Sequence, residues 1–227
     1  MKALTDWLAA PEPDRFPYAG VVAAYREGGK HFVPGSLLAL LDRARGELTA
    51  APAPAGPGQE AAREVLDRFL DTALDKYDGR YDYPTYTALS LLAPPVGAAP
   101  EETSGHRDRL VVHLLGDLAR FELAAVAGET ALLPQLRPSP LLVGKRHRLA
   151  LRVAAPALAR LGLPGPVPGE EPEKAARRLW ETSDASMTER ERLVLELSML
   201  PVHVTHDEYL FIRVLQAFEA TFTLLAA

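Results

Sequence analysis

Apolar residues recur every three or four positions along nearly the whole chain, and the two-residue alternation of a half-buried strand is almost absent. A helix buries one face at that spacing, so the chain is predicted to be all-α, a multi-helix bundle. Twenty prolines and sixteen glycines cut the pattern into pieces, because proline lacks an N–H and glycine orders poorly. The predicted helices cover 15–27, 36–50, 59–77, 104–127, 139–162, 173–182 and 187–200, with a last one opening at Thr205 and running to Ala227. A break is expected at Pro156. Two capping boxes are read, Ser186-Met-Thr-Glu189 and Thr205-His-Asp-Glu208. Ala51 to Gly58 (APAPAGPG) reads as a linker or long loop, separating an N-terminal helical segment (1–57) from a helical domain (58–227).

Composition excludes several classes. A net charge of −5 leaves no basic surplus for a phosphate backbone, so nucleic acid is not an expected partner. No stretch reaches the roughly 18 apolar residues of a membrane span, and the N-terminus has no signal-peptide pattern, so a cytoplasmic location without membrane is expected. The absence of cysteine excludes disulfides, iron–sulfur clusters, thiolate-ligated haem and cysteine zinc sites. Gly-rich phosphate loops, HExxH, GxSxG and EF-hand patterns are also missing.

Six histidines remain. His203 and His206 stand three apart, which could place two imidazoles on one metal, although the Thr205 cap between them turns them apart. His206 is otherwise explained by capping and loop hydrogen bonds, and His113, on the apolar face of its helix, by packing. His147 falls in Lys-Arg-His-Arg and reads as a solvated basic turn; Asp117, Arg120 and Glu122 read as salt-bridge patterning along a helix. Four of the seven tyrosines fall within Tyr77–Tyr86. Tyr81, Tyr83 and Tyr86 beside Pro84 either pack as a corner or line an aromatic pocket.

The last helix carries the sharpest pattern. His206-Asp-Glu-Tyr-Leu-Phe-Ile212, then Gln216, Glu219 and Phe222, reads H-D-E-x-L-F-I-x-x-x-Q-x-x-E-x-x-F. It resembles the helix of tryptophan 2,3-dioxygenases that bears their distal haem-pocket residues. The resemblance spans about 20 residues and is specific to this helix. It aligns Phe211 with the family's phenylalanine beside the indole substrate, and Leu215 with the family's distal histidine. Tyr81-Asp-Tyr-Pro-Thr-Tyr86 is similar to the family's early tyrosine-rich segment. With leucine in place of the distal histidine, the chain looks most like the histidyl-ligated haem-dependent aromatic oxygenases, among them bacterial tyrosine hydroxylases of natural-product biosynthesis.

This resemblance implies a bundle that is tryptophan 2,3-dioxygenase-like in part, a haem cofactor and hydroxylation of L-tyrosine to 3,4-dihydroxyphenylalanine. Phe211, Leu215, Tyr83 and Tyr86 would then line the haem and substrate pocket, with His203, His206 and His113 as candidate iron ligands. Phe211 and Leu215 are expected to be shielded together, and Glu219 to be partly buried. In the dioxygenases the proximal histidine and the carboxylate-binding arginine follow this helix. A chain ending at Ala227 is therefore expected to be a truncated portion, to hold haem through an upstream histidine, or to hold none. The alternative is a non-catalytic helical fragment or scaffold that self-associates; a homo-oligomer is expected on either reading.

Overall fold

A computed structural model describes residues 2–94 and 100–222. Eleven α-helices and no strand occur among these residues, so the chain is all-α. They are α1 (Lys2–Ala9), α2 (Tyr18–Gly28), α3 (Gly35–Ala50), α4 (Pro57–Ala73), α5 (Tyr83–Tyr86), α6 (Leu89–Leu92), α7 (Pro100–Ala127), α8 (Pro140–Arg160), α9 (Pro172–Ser186), α10 (Glu189–Leu197) and α11 (His206–Phe222). None of them is long and apolar enough to cross a membrane.

The chain forms two compact units, one of Met1–Leu91 with Glu196–Val204, the other of Leu92–Leu195 with Thr205–Ala227. Helices α3 and α4, on either side of the loop 51–56, both belong to the first unit, and Pro57 and Gly58, expected in that loop, already form the first turn of α4, where proline costs no hydrogen bond.

The first unit is built on an aromatic chain. Trp7 meets Phe16 edge-on at 5.1 Å, and Tyr18 meets Phe69 at 5.4 Å. Helix α1 therefore packs, although its eight residues are too few for a persuasive periodic signal. The 196–204 segment is tied in where Lys30 N–H donates to the Pro201 carbonyl at 2.6 Å. At Gly29, with φ +90°, a Cβ would stand 2.1 Å from the Val202 carbonyl oxygen, so only glycine fits there.

In the second unit α7 packs against α8, α9 and α11. Its core joins Val112, Leu114 and Leu115 of α7 to Ala154 and Leu158 of α8, Leu179 of α9 and Ala217 of α11. Gly116 lets α7 and α9 approach, since a Cβ there would meet the Ser183 Cβ at 2.6 Å.

Two local expectations change. Helix α8 continues through Pro156, which lies on the exposed side with Arg152, the residue whose carbonyl loses its intrahelical partner. The cap of α10 is Thr188 with Glu191 rather than Ser186 with Glu189. Thr188 N–H donates to Glu191 Oε2 at 2.9 Å, and Glu191 N–H to Thr188 Oγ1 at 3.2 Å. Ser186 belongs to the preceding helix, where its hydroxyl donates to the Ser183 carbonyl. The expected run of α11 from 223 to 227, with Leu224 and Leu225, lies outside the described residues.

Candidate functional site: the two faces of the last helix

Helix α11 inverts the simplest reading of its sequence. Its buried residues are His206, Tyr209, Ile212, Arg213, Gln216 and Ala217. Phe211, Phe218 and Phe222 are 54%, 52% and 54% exposed. Phe211 was expected to be shielded with Leu215; Leu215 is half-buried, but Phe211 is not shielded. Glu219 is partly buried, as its position one turn from Leu215 implied.

The polar residues face inward because α7 supplies their counterparts. Asp117 Oδ2 accepts from the Tyr209 hydroxyl at 2.5 Å and from Arg213 Nε at 2.8 Å, while its Oδ1 accepts from Arg120 at 2.9 Å. Arg213 also donates to Gln216 Oε1 and to the Leu195 carbonyl, both at 2.8 Å. Phe121 stacks on Tyr209 at 4.0 Å. Burial alone would push the Asp117 carboxyl up, but the Arg213 and Arg120 charges and the Tyr209 hydroxyl hold it below the usual carboxylate range. Burial and the Asp117 charge push the Tyr209 phenol up to about 12, so it remains a donor at neutral pH.

A second buried group lies one turn further along α7. Glu122 Oε1 accepts from Arg146 at 3.0 Å and stands 3.7 Å from His206 Nε2, while Oε2 stands 3.8 Å from His147 Nε2. Both rings are almost fully buried, and Glu122 Oε2, His147 Nε2 and both His206 ring nitrogens have no hydrogen-bond partner. His147 is therefore no solvated turn. Burial pulls its basicity down, against the opposing pull of Glu122. No group of three acidic or histidine residues suited to a metal ion occurs among the described residues.

The remaining candidates are dispersed. Tyr83 and Tyr86 sit on α5 in the first unit, the former 44% exposed and the latter half-buried. Asp82 caps that short helix by accepting from Thr85 N–H at 2.9 Å, and the Thr85 carbonyl accepts from buried Lys30 at 2.8 Å. His203, also in the first unit, is exposed with its ring 5.8 Å from Phe32. His113 is buried in α7, its Nε2 3.3 Å from Ser186 Oγ, and burial lowers its pKa to about 4.

Haem held by histidine needs an imidazole nitrogen facing an open apolar slot. His113 is engaged with Ser186, His206 is stacked 4.7 Å from Phe121, and His203 lies outside against Phe32. None of the three lines the 440 Å³ cleft beside Arg63 or the 410 Å³ cleft beside His147. Of the three, His206 has both ring nitrogens without a hydrogen-bond partner. Half-exposed Phe211 and half-buried Leu215 form an apolar pair one turn apart on α11.

Sequence reasoning missed Tyr209, Arg213 and the buried role of Asp117. The available signal was Asp117 itself, an acid on the apolar side of α7 between His113 and Phe121. Comparison with known protein families, with characterised proteins and with solved structures gave no match.

Proposed function

We propose that α11 is the substrate-side wall of a histidyl-haem-dependent aromatic oxygenase related to the tryptophan 2,3-dioxygenases. The reaction in this reading is hydroxylation of L-tyrosine to 3,4-dihydroxyphenylalanine in natural-product biosynthesis. The carrying observation is the residue pattern from His206 to Phe222, which falls on one uninterrupted helix. Its support is the division of that helix into two faces. Tyr209, Arg213 and Gln216 are anchored to Asp117 and its surroundings, while half-exposed Phe211 and half-buried Leu215 lie one turn apart. The candidate axial imidazoles in this reading are those of His113, His203 and His206, and no catalytic step is assigned to them.

The test is hemin titration of the 227-residue chain, followed by incubation with L-tyrosine and hydrogen peroxide. Hemin absorbance that weakens in Phe211→Glu and Leu215→Glu, and is lost in an alanine variant of one of His113, His203 and His206, is the expected result. A hemin spectrum indifferent to both glutamates would count against the wall. A sharp histidyl spectrum that persists in all three histidine variants would overturn the ligand assignment.

A non-catalytic helical interaction module is the second reading, favoured by the half-exposed Phe211, Phe218 and Phe222. It predicts concentration-dependent self-association in sedimentation that Phe218→Lys abolishes, with no response to hemin.

A further inference from the structure

Helix α8 carries Lys145, Arg146, Arg148, Arg152 and Arg160 and no acidic residue, in a chain of net charge −5. Arg146 is paired with Glu122 and Asp207, and Arg160 with Asp108. Lys145, Arg148 and Arg152 are exposed and make no ion pair with any described residue. At about 100° per residue, these three fall within about 60° of one another around the helix. Beside them, Leu142, Leu149 and Val153, all exposed, fall within about 40°. Helix α8 thus turns a basic stripe and an apolar stripe, side by side, to solvent.

Helix α11 carries the reverse pattern. Its single arginine, Arg213, is buried against Asp117, and it has no lysine. Half-exposed Phe211, Phe218 and Phe222 fall within about 60° of one another, together with half-buried Leu215. Glu208 and Glu219 lie along one edge of that apolar stripe, within about 20° of each other. Asp207, on the other edge, is paired with Arg146. Viewed clockwise from the N-terminus, the charged stripe precedes the apolar one on α8 and follows it on α11. Two facing helix surfaces mirror that order when they run in the same direction. Parallel packing therefore sets leucine on phenylalanine and the three cations beside the two glutamates, whereas antiparallel packing sets the glutamates against leucines.

We infer that two copies of this chain associate by docking α8 of one against α11 of the other, the two helices running in the same direction. Within one copy both helices pack on α7 with these stripes turned outward, so the matching surface is met on a second copy. The inference rests on the self-association reading of α11 and adds the surface that α11 meets. Opposed stripes of unlike charge fix the direction and register of such a contact, while the apolar stripes supply the burial.

Sedimentation equilibrium of the 227-residue chain without hemin tests it. The native chain associates. The double variants Arg148→Glu/Arg152→Glu and Glu208→Lys/Glu219→Lys each set like charges face to face, and each raises Kd at least about tenfold. An equimolar mixture of the two variants associates again, because a reversed α8 then meets a reversed α11. Leu149→Lys, at an exposed position that leaves the native charges in place, weakens association as well. A native chain that stays monomeric would overturn both the inference and the self-association reading. Association that Phe218→Lys abolishes but Arg148→Glu/Arg152→Glu and Leu149→Lys leave intact would overturn the inference alone. So would a mixture of folded variants that stays dissociated. A monomer that sediments with phosphatidylserine vesicles, and is released by Arg148→Glu/Arg152→Glu, would assign the basic stripe to a lipid surface instead.

Discussion

Arg213 meets Asp117 in the interior of the second unit, with Nε 2.8 Å and Nη2 2.7 Å from the same carboxylate oxygen. Both side chains are almost fully buried, and the pair fastens α11 to α7. Removing one member strands the other charge without water, which costs about 3–5 kcal/mol in comparable buried pairs. Asp117→Ala and Arg213→Met should each destabilise by that amount in urea unfolding. The double variant should lose clearly less than their sum. Additive losses would show that the pair is not coupled.

The periodicity that makes α7, α8 and α11 helices is visible in the chain, but the inward face of α11 is not. Phe211, Phe218 and Phe222 look like core by hydrophobicity alone, and Arg213 and Gln216 look like surface. The order is reversed because Asp117, 96 residues upstream, satisfies the guanidinium, and a single sequence does not display a partner at that separation. His147 was misread for the same reason, since its local neighbours Lys145, Arg146 and Arg148 are all charged while its own ring turns toward Glu122. Haem-pocket membership for Tyr83 and Tyr86 came through the resemblance, and their burial neither selects a pocket nor excludes one.

Acid should unfold the protein through two groups. The Asp117 carboxyl is held below its ordinary value, so its contribution is complete above the unfolded carboxylate range, about pH 4, and is lost as pH falls through the folded value. His113 is held at about 4 in the folded chain, against about 6.5 when unfolded. The unfolded chain therefore takes up a proton first. Stability from this source is level above about pH 6.5 and falls by up to about 3 kcal/mol toward pH 4. His113→Gln should flatten the pH 4–6.5 limb of the urea midpoint, and Asp117→Asn the limb below it. An unchanged His113→Gln profile would show that the imidazole titrates normally.

The reciprocal bonds between Thr188 and Glu191 close the start of α10. Thr188→Ala should cost about 1 kcal/mol, within the usual 0.5–2 kcal/mol of an N-cap. Glu189→Ala, outside that pair, should cost less. Equal losses would point back to the Ser186–Glu189 assignment.

Phe211 and Ile212 are neighbours with opposite surroundings, 54% and 0% exposed. Deleting a buried isoleucine side chain removes its transfer energy and leaves a cavity, so Ile212→Ala should cost about 2–5 kcal/mol. A fully buried phenylalanine would cost about 3–5 kcal/mol on truncation. Phe211 keeps about half of its surface in water, so the transfer loss is partial and no closed cavity forms; Phe211→Ala should cost about 1 kcal/mol or less. The difference between the two variants isolates the orientation of α11, because both substitutions have similar helix propensity effects. Chemical denaturation of the two proteins in parallel measures it. A Phe211→Ala loss matching that of Ile212→Ala would mean that Phe211 is covered in solution, either by another part of the chain or by a second copy. A small loss combined with a weakened hemin response would instead mark Phe211 as a ligand-facing residue that the fold itself does not need.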